Sequence, residues 1–137
     1  IKRLLQMLTP EVRGKREPAP EALRGVPPVR RLKTYQADTG FSWSYYYEGH
    51  RREEEPNAGL AYVFTLHPEA AVTVLIPEGT LAGARARTLS AISSRESYAL
   101  AKMHLFAVLD CEESPAPDSR WELDVDAAMA IWERLDL

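Results

Sequence analysis

Between Phe41 and Arg52 the side chains alternate. Phe41, Trp43, Tyr45 and Tyr47 fall on one side of an extended chain, and Ser42, Ser44, Tyr46, Glu48, His50 and Arg52 on the other. Successive strand residues point to opposite faces, so this pattern packs an aromatic face on a core and turns a polar one outward. The chain is thereby committed to a sheet with a second layer against its aromatic side.

The neighbouring segments supply that sheet. Residues 30–37 read as a first strand that turns at Asp38-Thr39-Gly40 into the strand over 41–52. After the polar stretch Glu53-Glu54-Glu55-Pro56-Asn57-Ala58-Gly59 come Leu60 to Leu66 and Ala71 to Ile76, apolar at nearly every position and so predicted to lie centrally. They are joined by His67-Pro68-Glu69-Ala70, and Pro77 closes the last. Short connections between successive strands favour an antiparallel meander.

Helical signals fill the C-terminal half. Thr80 is the expected cap of a helix reaching about Leu89. Ser93 and Glu96 form a Ser-x-x-Glu capping box opening a helix over about 95–112. Its apolar residues, Tyr98, Leu100, Met103, Leu105, Phe106, Val108 and Leu109, leave only a narrow polar strip, as expected of a helix buried on the sheet. Ser114-Pro115-Ala116-Pro117-Asp118 reads as a loop. Trp121, Leu123 and Val125 alternate and are a candidate short edge strand. Asp126 is the expected cap of a last helix with Met129, Ile131, Trp132 and Leu135 inside. The predicted fold class is α+β: a four-stranded antiparallel meander, with a fifth edge strand as an option, packed against C-terminal helices. Its span is 30–137.

Residues 1–29 differ. Ile1, Leu4, Leu5 and Leu8 share one face at helical spacing, and Pro10 ends that turn. Residues 10–29 hold five of the ten prolines and few large apolar side chains, the composition of an extended arm. Residues 1–33 carry nine cations against three anions, a net +6; since the whole chain is at −3, the rest is at −9. A basic segment on an acidic body is a pattern of interaction segments.

At 137 residues the chain can bury one domain-sized core. No apolar run approaches the roughly 20 residues of a membrane span, so no membrane contact is expected. The single cysteine, Cys111, excludes an internal disulfide framework, and a cytoplasmic, reducing location is expected. Nothing at the start reads as a secretory leader. Of seventeen cationic side chains only four are lysine, a bias expected of a GC-rich, bacterial coding sequence.

Chemistry-bearing motifs are sparse. His67-Pro68-Glu69 has the shape of half a zinc deaminase site, but the Pro-Cys-x-x-Cys half is missing, and a turn explains it better. His104 and Cys111 stand two helical turns apart, roughly 10 Å of rise, too far for a Cys–His pair on one helix. Ser90, Ser93 and Ser94 lack a nucleophile elbow, no glycine-rich phosphate loop occurs, and the Glu53–Glu55 run is a solvated loop face. No catalytic residue, metal ligand or cofactor is therefore assigned.

Two groups remain as candidate partner-binding residues. One is the arm, with Arg13, Lys15, Arg16, Arg24, Arg30, Arg31 and Lys33, suited to an acidic protein surface or a phosphate backbone, or else folded onto its own acidic body. The other is the even face of the second strand, with Tyr46, His50 and Arg52 in a row, a pattern that also stacks single-stranded bases. The expected function is a non-catalytic protein-interaction module or assembly subunit whose arm reaches a protein partner or a second copy. An enzyme with a site assembled from scattered residues near the exposed sheet face is the alternative, and nucleic-acid binding through the arm a further one.

Overall fold

The computed structural model describes residues 23–56, 58–111 and 115–135. They form a five-stranded sheet and three helices in the order β1 (Lys33–Gln36), β2 (Ser42–Glu53), β3 (Gly59–Leu66), β4 (Ala70–Pro77), α1 (Glu78–Thr88), α2 (Ser94–Leu109), β5 (Arg120–Glu122) and α3 (Val125–Leu135). The spatial strand order is β1-β2-β3-β4-β5, so the two most apolar strands are interior, as their composition predicts.

The first four strands are an antiparallel meander, but β5 runs parallel to β4, with Val74 opposite Trp121. The sheet is therefore mixed, which corrects the purely antiparallel reading. The chain between β4 and β5 contains both α1 and α2. A connection of that length can return the chain to the same end of the sheet, which the three- to five-residue links between the other strands cannot.

The helices cover one face. Tyr45, Tyr62, Phe64, Leu66, Val72, Val74, Ile76 and Leu123 meet Leu100, Ala101, Leu105 and Leu109 of α2 and Ala128 and Ile131 of α3 in one buried cluster. Fully burying side chains of this size is worth roughly 1.5–3 kcal/mol each. Helix α2 begins as its sequence announces: the Glu96 N–H donates to Ser93 Oγ at 3.1 Å and the Ser93 N–H to Glu96 Oε1 at 2.9 Å.

The other two helix starts differ from expectation. Helix α1 opens at Glu78, after Pro77, without a side-chain cap. Thr80 is buried instead and its hydroxyl donates to the Leu123 carbonyl at 2.7 Å, tying α1 to the segment after β5. At α3 the cap is Asp124, whose Oδ1 accepts the Ala127 N–H at 2.8 Å, while Asp126 pairs with Arg87 at 3.1 Å. Tyr35 lies flat on Phe106 with ring centroids 3.9 Å apart, and its hydroxyl donates to Asp110 at 2.8 Å, fastening the β1–β2 hairpin to the end of α2. Burial, with Asp110 reinforcing it, pushes the Tyr35 phenol up to about 12.

The central irregularity is a bulge in β2. Tyr47 pairs with Phe64 but Gly49 with Val63, so Glu48 is the extra residue. One inserted residue exchanges the two faces for everything beyond it. His50 and Arg52 consequently join the helix-covered face, opposite Tyr62 and Leu60, which corrects the predicted row Tyr46–His50–Arg52. Arg51 and Glu53 take the other face, where Glu53 accepts from Arg51 at 3.0 Å and from Arg120 at 2.7 Å.

Candidate functional site

β1 covers only the first third of the β2 edge, with Lys33 opposite Tyr45. The next pairing towards the N-terminus is Arg24 with His50: the Arg24 N–H donates to the His50 carbonyl at 2.7 Å and the His50 N–H to the Arg24 carbonyl at 2.9 Å. Between these anchors the eight residues 25–32 run beside only four of β2, residues 46–49. The surplus must loop outward, and Pro27 and Pro28 have no N–H to offer a ladder. Residues 24–33 thus form a strap, fixed at both ends, that bows away from the sheet.

Each side of the strap meets different groups. On the open face, Arg30 Nη2 donates to Glu48 Oε2 at 2.6 Å and its Nε sits 3.2 Å from both carboxylate oxygens. Thr65 Oγ1 donates to the same Oε2 at 2.6 Å, and the Arg30 guanidinium lies 3.7 Å above the Tyr46 ring. The Arg30 hydrogen bonds hold the Glu48 carboxyl below the usual glutamate range. The bulge makes this clasp, because it turns Glu48 to where Arg30 reaches it.

On the helix-covered side the strap closes over His50. Gly25 has φ +65°, and a side chain there would stand 3.1 Å from the imidazole and 3.6 Å from the Tyr47 hydroxyl. The Tyr47 hydroxyl and His50 Nδ1 are 3.3 Å apart, and His50 stacks on Tyr62 with centroids at 5.1 Å. Burial, aided by the Arg24 charge, lowers the His50 pKa, which favours the neutral imidazole; burial raises the Tyr47 phenol far above its ordinary value. The pair can donate and accept hydrogen bonds but offers no charged nucleophile.

Beneath the bow is a cavity of about 180 Å³ lined by Pro27, Pro28, Val29, Arg31, Lys33 and Tyr47. Tyr98 of α2 lies 4.7 Å from Tyr47, centroid to centroid, and Lys102 Nζ stands 5.5 Å from the centre of the Tyr98 ring. Burial and the neighbouring Lys33 charge lower the Lys102 ammonium. A second, more open hollow of about 300 Å³ lies between the start of α1 and residues 122–125.

The residues singled out from sequence therefore separate. Arg13, Lys15 and Arg16, with the helix predicted over 1–8, lie outside the described residues. Arg24 anchors the strap through its backbone. Arg30 and Tyr46 come together on Glu48. Arg31 and Lys33 line the cavity. His50 lies under Gly25, and Arg52 pairs with Glu78 at the start of α1. Sequence reading did not find Tyr47, Glu48 or Lys102. A glycine inside a strand pattern, Gly49, was the available signal for the bulge that positions the first two. Lys102 carried none, since its neighbour Lys33 is 69 positions away.

Among the described residues no group of three His, Cys, Asp or Glu side chains is placed to hold a metal ion, and no helix is long and apolar enough to cross a membrane. The chain matches no known protein family, no curated protein and no solved structure.

Proposed function

We propose that this chain is a non-catalytic protein-interaction module whose strap docks an acidic, aliphatic-bearing segment of a partner protein. The observation that carries the reading is the strap's exposed surface. Val26, Val29 and Leu32 are 55%, 61% and 50% exposed, and the exposed cations Arg24, Arg31 and Lys33 are interspersed among them. None of those three cations belongs to an ion pair among the described residues. Apolar side chains ringed by uncompensated cations complement a segment that mixes carboxylates with aliphatic groups. The acidic remainder of the chain weighs against a nucleic-acid partner. The lone cysteine, exposed at Cys111, fits a reducing compartment such as the cytoplasm.

The test is fluorescence polarisation of a labelled peptide alternating glutamate and leucine against the whole chain. Binding is expected to weaken with added salt and to fall about tenfold or more in Arg24→Glu and Leu32→Asp. No binding by the wild type overturns the reading. Light scattering in parallel identifies a second copy as the occupant if the chain is a dimer that salt dissociates.

A further inference from the structure

The strap's hold on β2 passes through one imidazole. The Arg24–His50 pair supplies the only backbone hydrogen bonds that residues 24–32 make with β2, at 2.7 and 2.9 Å. The His50 side chain lies under the same turn, where a Cβ on Gly25 would stand 3.1 Å from both Cε1 and Nδ1. Tyr62 of β3 stacks on the imidazole with centroids 5.1 Å apart, and the Tyr47 hydroxyl is 3.3 Å from Nδ1. On the α2 side, Tyr98 and Lys102 follow beyond Tyr47. Further along β2, Arg52 is paired with Glu78 of α1. No carboxylate among the described residues pairs with the imidazole, and the charge that bears on it is that of Arg24.

These surroundings suit a neutral ring. With its proton on Nε2, the imidazole accepts the Tyr47 hydroxyl proton at Nδ1. An imidazolium in the same place would be cut off from water beside a like charge, and both effects disfavour the charged form. The Tyr62 face favours a cation, but burial and the Arg24 charge outweigh it. Lifting the strap removes both costs, because water reaches the ring and Arg24 moves away. The rest of the strap resists weakly: Pro27 and Pro28 offer no N–H, and the Arg30–Glu48 pair is exposed on its arginine side.

We propose that His50 is a proton-operated latch: the neutral imidazole keeps the strap closed on the β2 edge, and protonation in mildly acidic solution releases it. The closed form binds the proton less well than the open one. Closure is therefore most favourable above the ordinary histidine value of 6.5 and weakens as the pH falls from there towards the lower value of the closed form. Across that interval the closing equilibrium loses up to about tenfold per pH unit. The latch belongs to the strap itself and stands whether or not the strap docks a partner; the glutamate–leucine peptide at neutral pH tests that docking separately.

The experiment is amide hydrogen exchange of the whole chain, expressed as protection factors, from about pH 7.5 to about pH 5. Glu48 stays ionised over this interval, so the Arg30 clasp does not titrate within it. The Arg24 and His50 amides are expected to lose protection about fivefold or more on acidification, while the β3 amides keep theirs. His50→Gln, which retains His67 and His104, should abolish the dependence. The His50 imidazole, followed by NMR, should titrate below 6.5 in the wild type. In Gly25→Ala, whose added Cβ forces the cover off the ring, it should titrate closer to 6.5. Strap protection that does not change with pH, or that falls equally in His50→Gln or in β3, overturns the latch. So does an imidazole midpoint at or above 6.5, or one that Gly25→Ala leaves unchanged.

Discussion

The β2–β3–β4 interior and the β2 edge under the strap are built from the same strand, yet they solve opposite problems. In the interior every residue from Gly59 to Leu66 has a partner on β4, and Tyr62, Phe64 and Leu66 are closed off by α2. At the edge, pairing stops after Lys33 and resumes only at Arg24, and the intervening chain is held by a guanidinium on a carboxylate and a ring. Continuous pairing with apolar burial leaves no unfilled space and no uncompensated charge. Interrupted pairing leaves both at the edge, in the cavity and in Arg31 and Lys33 on its wall. The interior is a scaffold, and the edge carries the proposed docking surface.

If the interior carries the stability, Phe64→Ala should produce the largest loss, about 3–5 kcal/mol in urea denaturation. A loss no greater than that of a strap variant would erase the distinction. Gly49→Ala attacks the junction. It has φ +127°, and an added Cβ would stand 2.8 Å from the Arg24 carbonyl oxygen and 3.0 Å from the Leu23 side chain. Strain of this kind costs about 1–3 kcal/mol, and the Arg24 and His50 amides should lose hydrogen-exchange protection while those of β3 keep theirs. Protection lost equally in both regions would show strap and scaffold to be one cooperative unit.

The smallest effect is expected at Glu48, because its partner Arg30 is solvent-exposed and such pairs contribute little. The carboxyl titrates below its ordinary 4.5 in the folded chain. Its contribution is therefore complete above that value and is lost as the pH falls through the lower folded value. Denaturation of wild type and Glu48→Gln should differ near neutrality and converge on acidification. A difference that persists at low pH would mean that the clasp works through shape rather than charge.

Much of the scaffold was legible because each signal was local. The alternation of Trp43, Tyr45 and Tyr47, the apolar runs of β3 and β4, and the Ser93–Glu96 box need only neighbouring residues to be understood. Helix starts depending on distant partners were not: Thr80 resembles a cap until the Leu123 carbonyl takes its hydroxyl, and Asp126 competes with Asp124 two positions away. Of the candidate site, the cations of the strap were visible as a charge pattern, but their division between clasp, anchor and cavity was not. Arg30 and Arg31 are adjacent in the chain and serve opposite sides of the strap.

The sequence alone determined an α+β chain with its apolar strands inside and its positive charge gathered towards the N-terminal side. Periodicity, capping and composition act over a few residues and need no knowledge of the rest. Tertiary structure decided the direction of β5, the exchange of faces after Glu48 and the pairing of Arg24 with His50. Each depends on which long-range pairing wins, and a single inserted residue suffices to carry His50 from the face its spacing implies to the one it occupies.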